Sequence, residues 1–370
     1  MSSSDIVVVG GGIIGLSIAL KLAQKGQAVT VVDANERGQA SYAAAGMLAP
    51  LGEAQEQSEF VPFAIKALRY WPAFVDDIKS ASNVPLKLNG PGILRVGFNQ
   101  TEEDELVRTY NWQQHCGLPV VLLDQTELHK CEPNLAPNAQ CAIRSAFEPY
   151  VEPQLVLTAL RAACDRLGVT ILMHDTVIGF AVKDGDVTGV RTTGRTFDAP
   201  HYVVAGGAWS RTLLQQLDYE LPVHPVRGQI VSIGPLPSPL FQHTIFSKHG
   251  YLVPRHDGRV LIGATEEQVG FDSSTTESGV DGLYASATSL VPALRKFPIH
   301  SSWAGLRPVS KDRLPLIGFL PGRDNVTIAA GHGRNGILMA PYTGILVADS
   351  LLKGAVIPDV FSPLRFEEQL

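Results

Sequence analysis

At 370 residues, 45% of them apolar and 18% charged, with 35 glycines and 25 prolines spread along it, the chain is long enough for two or three domains and too apolar for disorder. A net charge of -6, with no Lys/Arg run or aromatic stacking motif, supplies no field for a phosphate backbone and excludes nucleic acid as an expected partner. Cys116, Cys131, Cys141 and Cys164 form no Cys-x-x-Cys pair and lack clustered histidines, so they read as reduced thiols with no metal site.

The chain opens on a β-branched run, Asp5 to Gly10, of the kind that suits a strand buried on both faces. Gly10-Gly11-Gly12-Ile13-Ile14-Gly15 follows as Gly-x-Gly-x-x-Gly, then a helix with Ile14, Ile18 and Leu22 at spacing four, Lys25 at its end and Gly26 placed for a left-handed cap. Val29 to Asp33 is the second strand. Each part has a task at a pyrophosphate. Gly10 makes the turn, Gly12 lets the backbone come close, Gly15 allows tight helix–strand packing, and the helix N-terminus offers N–H groups and partial positive charge. Asp33 is placed to accept hydrogen bonds from ribose hydroxyls. These parts together predict a dinucleotide site without distinguishing FAD from NAD. The apolar stretch Ile6 to Leu20 has no basic residue before it and is interrupted by glycines. It is therefore read as a strand-turn-helix of a cytoplasmic protein, not as a signal peptide or membrane segment.

Further along, Ser41 to Pro50 is small and weakly patterned, either backbone pressed against a bound group or a tightly packed loop. A helical pattern runs from Phe60 to Ile78, strand-like pieces lie near Gly92 to Phe98, and an acidic, Gln-rich helix spans Thr101 to Cys116. Glu152 to Gly168 reads as an amphipathic helix, Val169 to Met173 as a strand, and Val177 to Val190 as a hairpin turning at Asp184-Gly185. His201 to Ser210 repeats the strand-glycine-helix pattern, with Gly206 as a second contact for the cofactor. Pro225 to about Thr265 alternates like antiparallel strands, with Asp257-Gly258 as a hairpin turn. A strand at Val326 to Ala330 runs into the loop Gly331 to Gly336 and an apolar helix towards Leu351. A contiguous NAD domain would look different. The predicted architecture is mixed α/β. A Rossmann-like FAD-binding domain is assembled from residues 1–80, 145–225 and 305–370, and a substrate-binding domain with a mostly antiparallel sheet from residues 81–144 and 226–304.

Three stretches carry residues fit for chemistry. In Trp303-Ala-Gly-Leu-Arg307-Pro, read as a strand, Trp303, Gly305 and Arg307 share one face. An arginine among apolar neighbours needs a partner, and the sequence leaves two open: a salt bridge to Asp312, or a bidentate clamp on a substrate carboxylate. Phe246 to Pro254 places His249 and Tyr251 on one strand face, Tyr251 either donating to the same carboxylate or packing in the sheet, and His249 the weaker candidate. The loop His332-Gly333-Arg334-Asn335-Gly336 enters a helix whose N-terminus would favour negative charge on the pyrimidine side of a reduced flavin, or else it is a phosphate loop or packing turn.

These residues resemble those of the FAD-dependent amino-acid oxidases of the D-amino-acid oxidase and glycine oxidase superfamily, nearest the glycine oxidases of thiamine biosynthesis. The resemblance runs through Gly-Gly-Gly-Ile-Ile-Gly, Ala-Ala-Ala-Gly-Met47-Leu, Tyr251-Leu-Val-Pro-Arg, Trp-Ala-Gly-Leu-Arg307-Pro and Gly-His-Gly-Arg334-Asn-Gly-Ile-Leu. It implies noncovalent FAD contacted by Ile13, Ile14, Asp33, Ala34, Ala40, Ser41, Ala45, Gly46, Met47, Val177 and the loop His332, Gly333, Arg334, Asn335, Gly336, Ile337 and Leu338. It further implies a substrate carboxylate held by Arg307 and Tyr251 with Arg334 beside it, and a homotetramer. The related sarcosine oxidases tether flavin through a cysteine where this chain has Gly305-Leu306, and some glycine oxidases line the pocket with a methionine where it has Glu266. The implied reaction is oxidation of glycine, sarcosine or a small D-amino acid by dioxygen. Hydride leaves Cα for flavin N5, and the products are glyoxylate or another 2-oxo acid, ammonia or amine, and hydrogen peroxide, with iminoglycine supplied for thiamine thiazole synthesis. A flavin dehydrogenase serving a quinone or other carrier, and a flavoprotein without turnover, remain as alternatives.

Overall fold

A computed structural model of the chain describes residues 4–52, 54, 56 and 58–369. A six-stranded sheet runs in the order Leu316–Leu320, Arg323–Ala330, His201–Val204, Ile6–Val9, Val29–Asp33, Thr170–Met173. All neighbours in it pair in parallel except Leu316–Leu320, which returns antiparallel along the edge. Its strands are Val/Ile-rich because both faces are covered. Ile6, Val8, Val29 and Val31 point to a layer of four helices, Ile13–Ala23, Phe60–Ser82, Pro153–Arg166 and Gly336–Lys353. Val7, Val9, Val32 and Tyr202 point the other way, onto a three-stranded sheet of Val177–Lys183, Asp186–Thr192 and Thr196–Phe197.

Two details show how tightly the helix layer is held. Trp71 is fully buried edge-on to Phe74 at 5.5 Å and donates its indole N–H to the Leu338 carbonyl at 3.0 Å. Gly344 lets Gly336–Lys353 approach Ile13–Ala23 so closely that an added Cβ would meet the Ser17 carbonyl carbon at 3.0 Å. The C-terminal helix is long and apolar enough to cross a membrane, and here Leu338, Met339, Ala340 and Val347 lie in the core.

The second large sheet has eight strands in the order Ile299–Ser310, Val223–Ile233, Val260–Gly263, Gly250–Pro254, Thr244–Ser247, Ile93–Gly97, Cys141–Ser145, Val120–Leu123. Its pairs are antiparallel apart from Thr244–Ser247 with Ile93–Gly97. The predicted boundaries at 225/226 and 304/305 fall inside Val223–Ile233 and Ile299–Ser310, which pair along nearly their whole length.

Candidate active site

The glycine loop has the geometry its spacing predicted. Gly10 has φ +109° and sits against Ala205, whose carbonyl carbon an added Cβ would meet at 2.7 Å. At Gly15 a Cβ would meet the Gly10 carbonyl carbon at 3.0 Å, so this residue lets the helix lie on the strand. An added Cβ at Gly12 would meet only the Ser41 hydroxyl, at 3.2 Å, and the residue opens onto a cavity of about 380 Å³. Gly10, Ile13, Ile14, Ala34 and Gly206 line the same space. The residues therefore fit the phosphates and ribose of a dinucleotide on a helix N-terminus. The buried Asp33 carboxylate accepts from the Gly11 N–H at 2.8 Å, the Asn35 N–H at 2.7 Å and the Gln39 amide at 3.1 Å. Those bonds orient it at the end of its strand, and a carboxylate with about four lone-pair directions still has room for a ribose hydroxyl.

Along the cavity run Ala40, Ser41, Ala45, Gly46, Met47 and Val177. Ser41 caps the first helix by accepting from the Ile13 N–H at 3.0 Å. The 45–47 segment is clamped from behind. Gly46, at φ +81°, would meet the Pro153 ring at 2.9 Å with any Cβ, and Arg255 donates to the Ala45 carbonyl at 2.5 Å and the Val151 carbonyl at 3.2 Å while lying over the Tyr150 ring. Burial lowers the Arg255 pKa from its usual value.

The far wall is one face of the eight-stranded sheet. Gly228, Ile230, Tyr251, Gly305 and Arg307 all line the cavity from it. Arg307 donates to the Thr265 carbonyl at 3.0 Å. The predicted alternative of an Arg307–Asp312 salt bridge is not formed, because the turn after Ser310 carries Asp312 away to Arg365, which holds it at 2.7 Å. Among the described residues no carboxylate is ion-paired with Arg307, which lines the cavity. Tyr251 is only 6% exposed and stacks at 6.2 Å on Phe246.

The loop after the strand Arg323–Ala330 also lines the cavity. His332, Gly333, Arg334, Asn335, Gly336 and Ile337 line it, the 3-10 turn Gly333–Asn335 leading straight into the helix Gly336–Lys353. His332 is fully enclosed, 3.0 Å from the Thr343 hydroxyl, and burial pushes its pKa down to about 3, which keeps the ring neutral.

Other predicted residues lie elsewhere. His249 occupies the exposed turn between Thr244–Ser247 and Gly250–Pro254, so it does not share a strand face with Tyr251 and does not line the cavity; its N–H is held by Ser247 and its carbonyl by Ser286. The tight turn, made at Lys248-His249, sits where the sequence suggested continuing strand. Leu338 faces the core one helical step past the loop and does not line the cavity. Glu266 lies outside the cavity lining, half exposed, bonded to Arg313 at 3.0 Å and 3.9 Å from Arg334. Sequence reasoning missed Gly228 and Ile230, whose strand carries no motif, and Trp209 and Gln39, which also line the cavity.

A doubly covered parallel sheet with its glycine loop at a cleft, opposite an antiparallel sheet bearing a cationic side chain, defines a dinucleotide-dependent enzyme class. The chain belongs to the FAD dependent oxidoreductase family, whose model matches residues 5–350. It is 35% identical over 348 residues to the glycine oxidase of Geobacillus kaustophilus, covering 93% of this chain and 92% of that protein. The crystal structure of glycine oxidase from that organism superposes with a TM-score of 0.94 at 34% identity, covering 99% of both chains. A bifunctional protein ThiO/ThiG of Synechocystis is 36% identical over 374 residues, 99% of this chain but 54% of that protein, so the chain spans about half the length of this relative.

Proposed function

We propose that the chain catalyses oxidative deamination of glycine or a similarly small amine such as sarcosine, with dioxygen as acceptor. The observation that carries this reading is that Arg307 and Tyr251 line the same cavity as the glycine loop, with no carboxylate ion-paired to Arg307 among the described residues. A planar guanidinium suits a carboxylate, and a carboxylate fixed there leaves the adjacent Cα–N bond pointing into the cleft. FAD, when bound, supplies the two-electron acceptor for that bond.

The protein's share is orientation. Arg307 and Tyr251 hold the carboxylate, and the neutral His332 and the helix N-terminus after it offer dipoles in place of a fixed anion. No side chain needs to remove a proton if the amine binds neutral. The likeness to glycine oxidases supports glycine as substrate and supports the product imine feeding thiamine thiazole synthesis. The reading includes noncovalent FAD and a homotetramer in the cytoplasm, without nucleic-acid or membrane partners. It also keeps a cofactor part of residues 1–80, 145–225 and 305–370 and a substrate part of residues 81–144 and 226–304. Replacing Arg307→Ala removes charge-assisted hydrogen bonds of about 1.5–3 kcal/mol, which predicts a rise in KM for glycine of roughly tenfold to a hundredfold. A KM within twofold of the parent would show that Arg307 is not the clamp.

A further inference from the structure

We infer that Gly228 and Gly263 are positioning residues, each a missing Cβ into which one of the two carboxylate-holding side chains is set. The inference rests on the clamp reading just given and deepens it. Val226 pairs with Arg307 and Gly228 with Gly305 across the antiparallel strands Val223–Ile233 and Ile299–Ser310. Arg307 therefore lies diagonal to Gly228 on one face, within reach of a long side chain. Its guanidinium rests directly on that glycine, and a Cβ added at Gly228 would meet Arg307 Cζ at 2.5 Å and both terminal nitrogens closer still. Gly263 pairs directly with Tyr251 across the neighbouring strands, and a Cβ there would meet Tyr251 Cε2 at 2.6 Å, with the ring carbon bearing the hydroxyl and the hydroxyl itself nearer.

Neither glycine has a positive φ, so the left-handed region that favours glycine does not explain them. Both sit in strands, where glycine weakens the sheet and marks a close approach. What approaches in each case is the polar end of a side chain that lines the cavity. The two sockets belong to one sheet face, since Ile230 pairs with Gly263 and stands two residues from Gly228. The sheet thus fixes the spacing between guanidinium and phenol, which sets where a carboxylate can sit and how far its Cα reaches into the cleft. Because the obstructed atoms at Gly228 are the far end of a flexible chain, an added methyl displaces the guanidinium more readily than it disturbs the fold.

The test is a double-mutant cycle on the FAD-loaded protein, with glycolate as probe. Glycolate keeps the carboxylate of glycine and replaces its amine by a hydroxyl, and its Kd is read from perturbation of the flavin absorbance, without turnover. Gly228→Ala should weaken glycolate about tenfold, with KM for glycine rising in step and flavin content retained. In an Arg307→Lys background, whose slimmer head no longer lies over the glycine, the same change should add less than about twofold. Equal losses in both backgrounds would assign Gly228 a general structural role and overturn the inference. Gly263→Ala provides the second arm, expected to weaken glycolate similarly; if both alanine variants bind glycolate as the parent does, the inference is wrong. Loss of flavin by both variants would also overturn it, since the sockets would then serve the fold. The clamp reading fails separately, if Arg307→Lys alone leaves the glycolate Kd unchanged.

Discussion

Arg307 and Asp312 stand five residues apart with opposite charge, and residue types alone made an ion pair as reasonable as a substrate clamp. The structure separates them by direction: the strand ends at Ser310, the turn sends Asp312 to Arg365, and Arg307 stays over Gly228. Glu266 shows the converse. It stands outside the cavity lining yet 3.9 Å from Arg334, which lines it. Its carboxylate therefore offsets part of the positive charge that Arg334 shows the cleft. An exposed pair of this kind is worth at most about 1 kcal/mol. Glu266→Gln should therefore raise kcat/KM for an amine with a second carboxylate, such as iminodiacetate, relative to glycine, by up to about fivefold. A ratio that falls in a steady-state comparison would show that Glu266 does not screen the site.

Elements with strong local signals were legible in the sequence. The first strand, glycine loop and helix, the strand at His201, and the hairpin at Asp184-Gly185, whose φ values of +52° and +93° suit its two-residue turn, all appear where pattern and turn chemistry put them. The long helix at Phe60 also appears, extended to Ser82, where Asn83 in the left-handed region ends it. Less legible were Val120–Leu123, Gln125–Cys131 and Cys141–Ser145. The two strands are short, and Cys141–Ser145 is completed by Ile93–Gly97, which lies across two intervening helices and a strand in the sequence. The helix does carry a signal, since Asp124 and Glu127 form a reciprocal capping box. At the site, motif residues on the glycine loops were readable because a turn or close approach constrains them locally. Gly228, Gly263 and the exposed turn at His249 depend on which strand pairs with which, and pairing is not a local property.

At the scale of the whole molecule, the cleft is assembled from chain segments as distant as Gly10 and Ile337 and is lined by a loop built around a buried neutral histidine. Burial lowers the folded pKa of His332 from 6.5 to about 3, and that of His201 to about 4. Above pH 6.5 each ring is neutral folded or unfolded, and the pKa difference costs nothing. As pH falls below 6.5 the unfolded chain takes up protons that the folded one refuses, so stability drops until the folded pKa is reached. Between pH 6 and 4, His332→Gln should therefore reduce the pH slope of the unfolding free energy by about one proton, measured by denaturant titration at stepped pH. An unchanged slope would show that the ring is not buried neutral.

The central claim is that this cleft holds FAD and presents a small amino acid to it. Its most direct test is an anaerobic titration of the purified protein with glycine, sarcosine and D-alanine, following the flavin band near ~450 nm. Bleaching by glycine or sarcosine, with the colour restored on admitting air, is the predicted result. A yellow protein whose band none of the three amines bleaches would contradict the account.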